Sequence, residues 1–294
     1  MMDRTPSPGP LPMNISRSLN RGHAERPIGI FDSGVGGLTV FKALRARLPG
    51  EHLLYLGDTA RLPYGTKSAE SVTRYALQAA SHLAERGVKM LVIACNTASA
   101  IAMPALVREF APLPVIGVVE AGAEAAVRTS KSGHIAVLAT ESTVRGGAYA
   151  RAIAARRPDA RVFSQACSLF VALAEEGWTR GPLVEAVARE YLHPLLEEKK
   201  RDGLDCLVLG CTHFPLLQET IAHVAGSGVI LVDSGETVAL VVEELLVEQK
   251  LIRSRDAKGD THFLATDGAE RFARVGSLFL GERLAAQDVE LADL

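Results

Sequence analysis

The sequence predicts an α/β protein made of two pseudo-twofold-related lobes, with largely parallel sheets flanked by helices and a site in the cleft between them. Three observations carry this prediction. From residue 28 onward, short apolar runs alternate with helical periods, a pattern that calls for parallel strands joined by helical crossovers. The stretch "VIACNTAS" (92–99) is echoed by "VLGCTHFP" (208–215): each is an apolar strand, a small residue, a cysteine and two polar residues opening a helix. Finally, "IGIFDSGVGG", which opens the first half, has a degenerate counterpart in "IAVLATESTVRGG".

The elements follow in order. "IGIF" is a strand, and "LTVFKALRARL" a helix with Leu38, Phe41, Leu44 and Leu48 on one face. "LLYLG" is the next strand, leading into the loop "DTARLPYGTK". A helix then runs from Ser68 as N-cap to Gly87 just beyond its end. "KMLVIA" feeds "CNTASAIAMPALVREF", where Pro104 either kinks the helix or opens a second one. "PVIGVV" is the strand that completes this half. In the second half "HIAVLA" is a strand, "TESTVRGGAYARAIAARR" a turn plus helix, and "ARVFSQ" a strand. A helix near 182–200, the strand "LDCLVLG", a helix near 213–224 and the strand "VILVD" come next. The helix "GETVALVVEELLVEQK" and a strand–helix–strand unit over 261–292 complete the chain.

The 294 residues, 48% hydrophobic and 22% charged, suffice for one large domain or two ordinary ones. A formal charge of -2 gives no field that would favour nucleic acid or an anionic membrane. No apolar run reaches bilayer-spanning length. The four cysteines (Cys95, Cys167, Cys206, Cys211) include no CxxC pair, which argues against a disulfide framework or a zinc ribbon and for a reduced, cytoplasmic protein. Residues 1–26 are rich in Pro, Ser, Gly and Arg and lack the apolar centre of a signal peptide. They read as a disordered arm, with order beginning at "PIGIFDSG".

A free cysteine is ordinarily inert core. Cys95 and Cys211, however, occupy equivalent strand ends, where open α/β sheets place ligand chemistry. Each also precedes a helix start, whose dipole and free N–H groups favour a thiolate. Cys167 and Cys206 lack these features and read as core. Opposed thiols suit four chemistries. A redox disulfide usually comes as CxxC, and a metal site from Cys206, Cys211 and His213 lacks a convincing fourth ligand. A Cys211–His213 hydrolase lacks a motif to orient the histidine. Proton transfer on both faces of one carbon needs two such acid–base groups. The glycines of "DSGVGG" (32–37) depart from GxGxxG and precede no Walker lysine, but exposed backbone N–H groups at such a turn suit a carboxylate. Asp32 can take an ammonium. Ser33, Asn96, Thr97, Thr140, Thr143 and Thr212 can donate to carboxylates, and Gly65 in "PYG" allows close backbone approach. Singly, each is more often a turn or cap residue; their clustering at strand ends favours a site.

"FDSGVGGLTV", "LPYGTKS", "ACNTAS", "LGCTHFPLL" and "VDSGE", in this order from about residue 28 to at least 249, resemble the glutamate racemases of the cofactor-independent aspartate/glutamate racemase family. The resemblance implies interconversion of L- and D-glutamate by two cysteines without cofactor or metal, supplying D-glutamate for bacterial peptidoglycan. It implies that Cys95 acts on D-glutamate and Cys211 on L-glutamate. Asp32, Ser33, Tyr64, Gly65, Asn96, Thr97, Thr212 and His213 would contact substrate, Thr140 and Thr143 match the family's threonine turn, and Glu175 matches a supporting acid. It also implies lobes of 27–118 plus 233–294 and of 119–232, and a homodimer. Ser142 and Ser168 depart from the family pattern. The arm resembles, in length only, extensions on members activated by UDP-N-acetylmuramoyl-alanine. Aspartate racemases, a one-cysteine decarboxylase and a non-catalytic amino-acid sensor are the neighbouring readings.

Overall fold

The computed structural model describes residues 22–294, apart from the side chains of 198–202. Residues 1–21 of the expected arm lie outside the described residues. Its last five residues do not fit the expectation: 22–24 form a helical turn, and Lys89 Nζ donates to Ala24 O at 2.7 Å. Order therefore begins ahead of "PIGIFDSG".

The strands are β1 (Ile28–Asp32), β2 (Leu53–Gly57), β3 (Met90–Ile93), β4 (Val115–Gly117), β5 (His134–Ala139), β6 (Arg161–Ala166), β7 (Cys206–Gly210), β8 (Ile230–Asp233), β9 (Thr261–Ala265) and β10 (Val289–Leu291). They form a six-stranded sheet in the order β10-β9-β2-β1-β3-β4 and a four-stranded sheet in the order β6-β5-β7-β8. Every pairing is parallel. The run β2-β1-β3-β4 in one sheet repeats as β6-β5-β7-β8 in the other, so the echo between "VIACNTAS" and "VLGCTHFP" is an equivalence of β3 with β7. Helices cover both faces of the first sheet, and side chains alternate between them. Ile28 and Ile30 pack with Phe41, Val238 and Phe272, while Phe31 packs with Val72, Ala80 and Leu83 on the other side.

Most helices form where the periodicity places them. Leu38–Arg47 buries Leu38, Phe41 and Leu44. Ala69–Glu85 starts with Ser68 Oγ accepting from Ser71 N–H at 3.2 Å and is followed by Gly87 at φ +75°. Pro104 opens a second helix, Met103–Phe110, after Asn96–Ile101. Three places differ from the sequence reading. The strand in "PVIGVV" stops at Gly117, and Val118–Thr129 is a helix. Its Gly122 lies so close to helix Ser234–Glu248 that a Cβ there would meet Ser234 Oγ at 2.6 Å. Gly147, at φ +61°, divides "TESTVRGGAYARAIAARR" into the helices Glu141–Gly146 and Ala148–Arg156. Leu169–Glu175 is a further helix, which apolar clustering alone does not announce.

Candidate active site

Parallel strands deliver their chemistry at their carboxyl ends. β1 delivers Asp32 and Ser33, β3 delivers Cys95, Asn96 and Thr97, β5 delivers Thr140 and Thr143, and β7 delivers Cys211, Thr212 and His213. Because β1 and β3 are neighbours in one sheet, and β5 and β7 in the other, these ends form two facing groups.

Cys95 is the N-cap of helix Asn96–Ile101. Its Sγ accepts from Ala98 N–H at 3.4 Å and donates to Ser33 Oγ at 3.4 Å. Only 5% of the residue is exposed. Burial, with the Asp32 carboxylate next in importance, pushes the Cys95 thiol up to about 12, against the pull of the Ser33 and Ala98 hydrogen bonds. Asp32 is fully buried. Burial raises its pKa; the His213 charge and the N–H groups of Gly37, Gly34 and Ser33 oppose that rise. Gly34 N–H donates to Asp32 Oδ2 at 3.0 Å, whereas Oδ1 has no hydrogen-bond partner among the described residues.

Cys211 has different company. Its Sγ lies 3.7 Å from His213 Nδ1, and His213 Nε2 lies 3.1 Å from Glu175 Oε1. Burial by itself would lower the His213 pKa, but its contacts with Cys211 and Glu175 push it up to about 10. The imidazole is placed between the Glu175 carboxylate and the Cys211 sulfur, a setting that favours its charged form. Glu175 is pushed up by burial but held below the usual carboxylate range by His213 and Arg271.

The two groups interlock. Thr97, from the first half, forms a triangle of hydroxyls with Thr140 and Thr143, at 3.0, 3.2 and 3.0 Å. Asn96 Nδ2 donates to Tyr149 OH at 2.8 Å, and Tyr149 OH lies 3.2 Å from Ser234 Oγ. A Cβ on Gly65 would meet Thr140 Cβ at 2.8 Å, so this glycine is required by the approach of the two loops. Thr39 Oγ1 donates to Thr212 O at 3.2 Å. All the sequence-predicted site residues are therefore gathered in one region. The Tyr64 hydroxyl is engaged by Asp58, donating to Oδ2 at 2.5 Å.

Sequence reasoning missed Tyr149, Asp58 and Arg271, whose Nη2 donates to Glu175 Oε2 at 2.6 Å. Tyr149 and Arg271 lie inside helices, away from any strand end, whereas Asp58 follows the end of β2 and carried the same positional signal as the residues that were found. Cys206 and Cys167 are fully buried, in keeping with core roles. Ser142, where the chain departs from the family pattern, donates to Lys67 O at 3.2 Å. Among the described residues no cluster of His, Cys, Asp and Glu could hold a metal ion.

Residues 38–242 match the family model described as Asp/Glu/Hydantoin racemase. A glutamate racemase of Geobacter metallireducens is 50% identical over 259 residues, covering 88% of this chain and 94% of the relative. The crystal structure of glutamate racemase from Francisella tularensis in complex with D-glutamate superposes with a TM-score of 0.84 at 38% identity, over 92% of this chain and 98% of that one. That of Escherichia coli glutamate racemase with L-glutamate and the activator UDP-MurNAc-ala gives 0.70 at 34% identity, over 86% and 95%.

Proposed function

The chain belongs to the Asp/Glu/Hydantoin racemase family and is an amino-acid racemase, and we propose that it interconverts L- and D-glutamate, without a cofactor, through Cys95 and Cys211. The observation that carries this reading is the placement of two buried thiols at the ends of equivalent strands, each with its own set of polar partners. The glutamate names of the relatives support the substrate.

From L-glutamate, the Cys211 thiolate takes the α-proton while the Cys95 thiol gives its proton to the opposite face of the carbon. One C–H bond breaks and another forms, leaving Cys211 as thiol and Cys95 as thiolate; D-glutamate runs the sequence in reverse. His213 Nδ1 stands 3.7 Å from Cys211 Sγ, where an imidazolium would pair with the thiolate this step requires, and burial raises the Cys95 thiol, favouring its protonated form. Charge that develops at the carbon spreads into the α-carboxylate, where Ser33, Asn96 and the threonine hydroxyls can donate. Asp32 Oδ1, buried and unpartnered, suits the substrate ammonium. Exclusion of water strengthens each of these interactions.

The test is incubation with L-glutamate in D₂O, followed by optical rotation and α-deuterium. The wild type is expected to yield deuterated D-glutamate, and Cys95→Ser and Cys211→Ser to lose racemisation. Racemisation surviving in either variant would rule out the two-thiol mechanism. The same reading gives the enzyme a cytoplasmic role in supplying D-glutamate to peptidoglycan, with the two sheets belonging to lobes of 27–118 plus 233–294 and of 119–232. Activation by UDP-N-acetylmuramoyl-alanine is proposed on the Escherichia coli relative, and an unchanged rate on its addition would remove it. A homodimer is proposed on the family resemblance alone; a monomer mass by sedimentation would exclude it.

A further inference from the structure

Helix Ala269–Leu280 packs in the core of the first sheet through Phe272, Ala273, Val275 and Phe279. It nevertheless touches the second half's acid–base machinery at two points. Phe279 stands edge-on to the His213 ring, with centroids 5.2 Å apart. Two turns earlier on the same face, Arg271 Nη2 donates to Glu175 Oε2 at 2.6 Å. The other Glu175 oxygen meets His213 Nε2 at 3.1 Å, and His213 Nδ1 lies 3.7 Å from Cys211 Sγ. We propose that Arg271 is a positioning residue: it acts on Cys211 through Glu175 and His213, reaching them from a helix that packs on the other sheet. This inference rests on the acid–base role of Cys211 proposed above.

The chemistry of the pair supports a positioning role over a stabilising one. The Arg271 side chain is 51% exposed, and an ion pair that wet adds little to folding stability. The Glu175 side chain is only 14% exposed, and its carboxylate divides its oxygens between guanidinium and imidazole. The last torsion of a glutamate is broad, so with one oxygen released the other is no longer held on Nε2. A cation donating to Oε2 holds that plane.

Arg271 is itself held by a braced rim. Its helix starts at Gly268, φ +63°. Just before it, Asp267 N–H donates to Thr59 Oγ1 at 2.9 Å and Thr266 Oγ1 donates to Asp58 Oδ1 at 2.9 Å. Asp58 also accepts from Tyr64 OH, beside the Gly65 turn that presses on Thr140. Arg271, Gly268 and Asp267 share a small cavity of about 130 Å³ with Glu175 and Leu62, at the point where the pair spans the two halves. The charged and titratable groups around Glu175 are thus Arg271 and Asp267 from the first half, His213 and Cys211 from the second, and Asp32 acting on His213.

Enantiomers are equal in free energy, so any variant must lower kcat/KM equally in both directions; the test therefore needs other readouts. Arg271→Met is expected to leave Tm unchanged and to lower kcat/KM by about 10- to 100-fold, chiefly in kcat. The acid limb of its pH profile should move to higher pH, because Glu175 loses the cation that helps keep its proton off. Arg271→Lys should recover most of the rate. In a Glu175→Gln background Arg271→Met should cost less than about 2-fold, since coupled groups are non-additive. A full cost in that background would mean that Arg271 steers anionic substrate directly, and would overturn the relay; so would no cost in the wild-type background. The alkylation of Cys211 by iodoacetamide against pH, read by mass spectrometry, separates this inference from the substrate reading. If the wild type leaves glutamate unchanged and Arg271→Met still shifts that profile, the relay stands and the substrate falls. If the wild type racemises glutamate and Arg271→Met shifts neither profile, the relay falls alone.

Discussion

Gly36 marks how little room separates the two halves at the site. A Cβ there would stand 2.4 Å from Thr212 Oγ1 and 2.5 Å from His213 Nδ1. Neither neighbour is the free end of a flexible side chain: Thr212 and His213 are both 7% exposed, and the imidazole is fixed by Glu175 and Phe279. Gly36→Ala is expected to cost about 1–3 kcal/mol of stability in a urea titration, as overpacking usually does. Its kcat/KM should fall by about 100-fold, because an imidazole moved by part of an ångström leaves the Cys211 sulfur. A variant with wild-type kcat/KM would show that this contact opens during turnover. The glycine run was legible in the sequence as a turn; the reason for its second glycine was not. That reason lies in residues 212 and 213, which only the fold brings to it.

At the scale of elements, local chemistry predicted well wherever the signal was local. Ser68 caps its helix and Gly87 follows its end at positive φ, as turn and cap residues do in any fold. Ser68→Ala is expected to cost about 1 kcal/mol in the same titration, with m unchanged. The strand ends bearing Cys95 and Cys211 were equally readable, because a buried parallel strand is a continuous apolar run and its end is punctuated. Helix Val118–Thr129 was not readable. Its β-branched start continues the apolar run of β4, and the residues that favour its helical packing, Tyr149 and Ser234 against Gly122, lie elsewhere in the chain. Pro104 allowed two outcomes, a kink or a new helix, and the packing of Leu106 into the core accompanies the second.

At the scale of the molecule, segments distant in sequence are tied beside the first sheet by charge as well as by apolar packing. Lys89 and Glu51 pair at 2.5 Å with side chains 0% and 1% exposed. Lys89 Nζ also donates to Ala24 O and to Leu251 O, and Glu51 Oε1 accepts from Arg253 N–H at 2.7 Å. The cluster thus joins the segment ahead of β1 to the segment returning to β9. Burial lowers the Lys89 pKa, and Glu51 works against that shift. Lys89→Met is expected to cost about 3–5 kcal/mol, since it strands a buried carboxylate. Lys89→Met with Glu51→Leu should recover much of that loss; a double variant as unstable as the single one would show that the hydrogen bonds to Ala24 and Leu251, and not the stranded charge, carry the cost.

The sequence by itself determined the class of fold, the equivalence of its two halves and the placement of Cys95 and Cys211 at equivalent strand ends, because each is written in neighbouring residues: periodicity, punctuation and a repeated motif. It also placed Asp32, Thr97, Thr140 and His213 at strand ends. Only the tertiary structure decided strand order, the break at Gly147 and the partners that tune the site. Arg271 meets Glu175 across a separation of 96 residues, and Tyr149 meets Asn96 across 53. Side chains so far apart in sequence leave no shared local pattern; their interaction depends on which sheet edges the crossovers bring face to face.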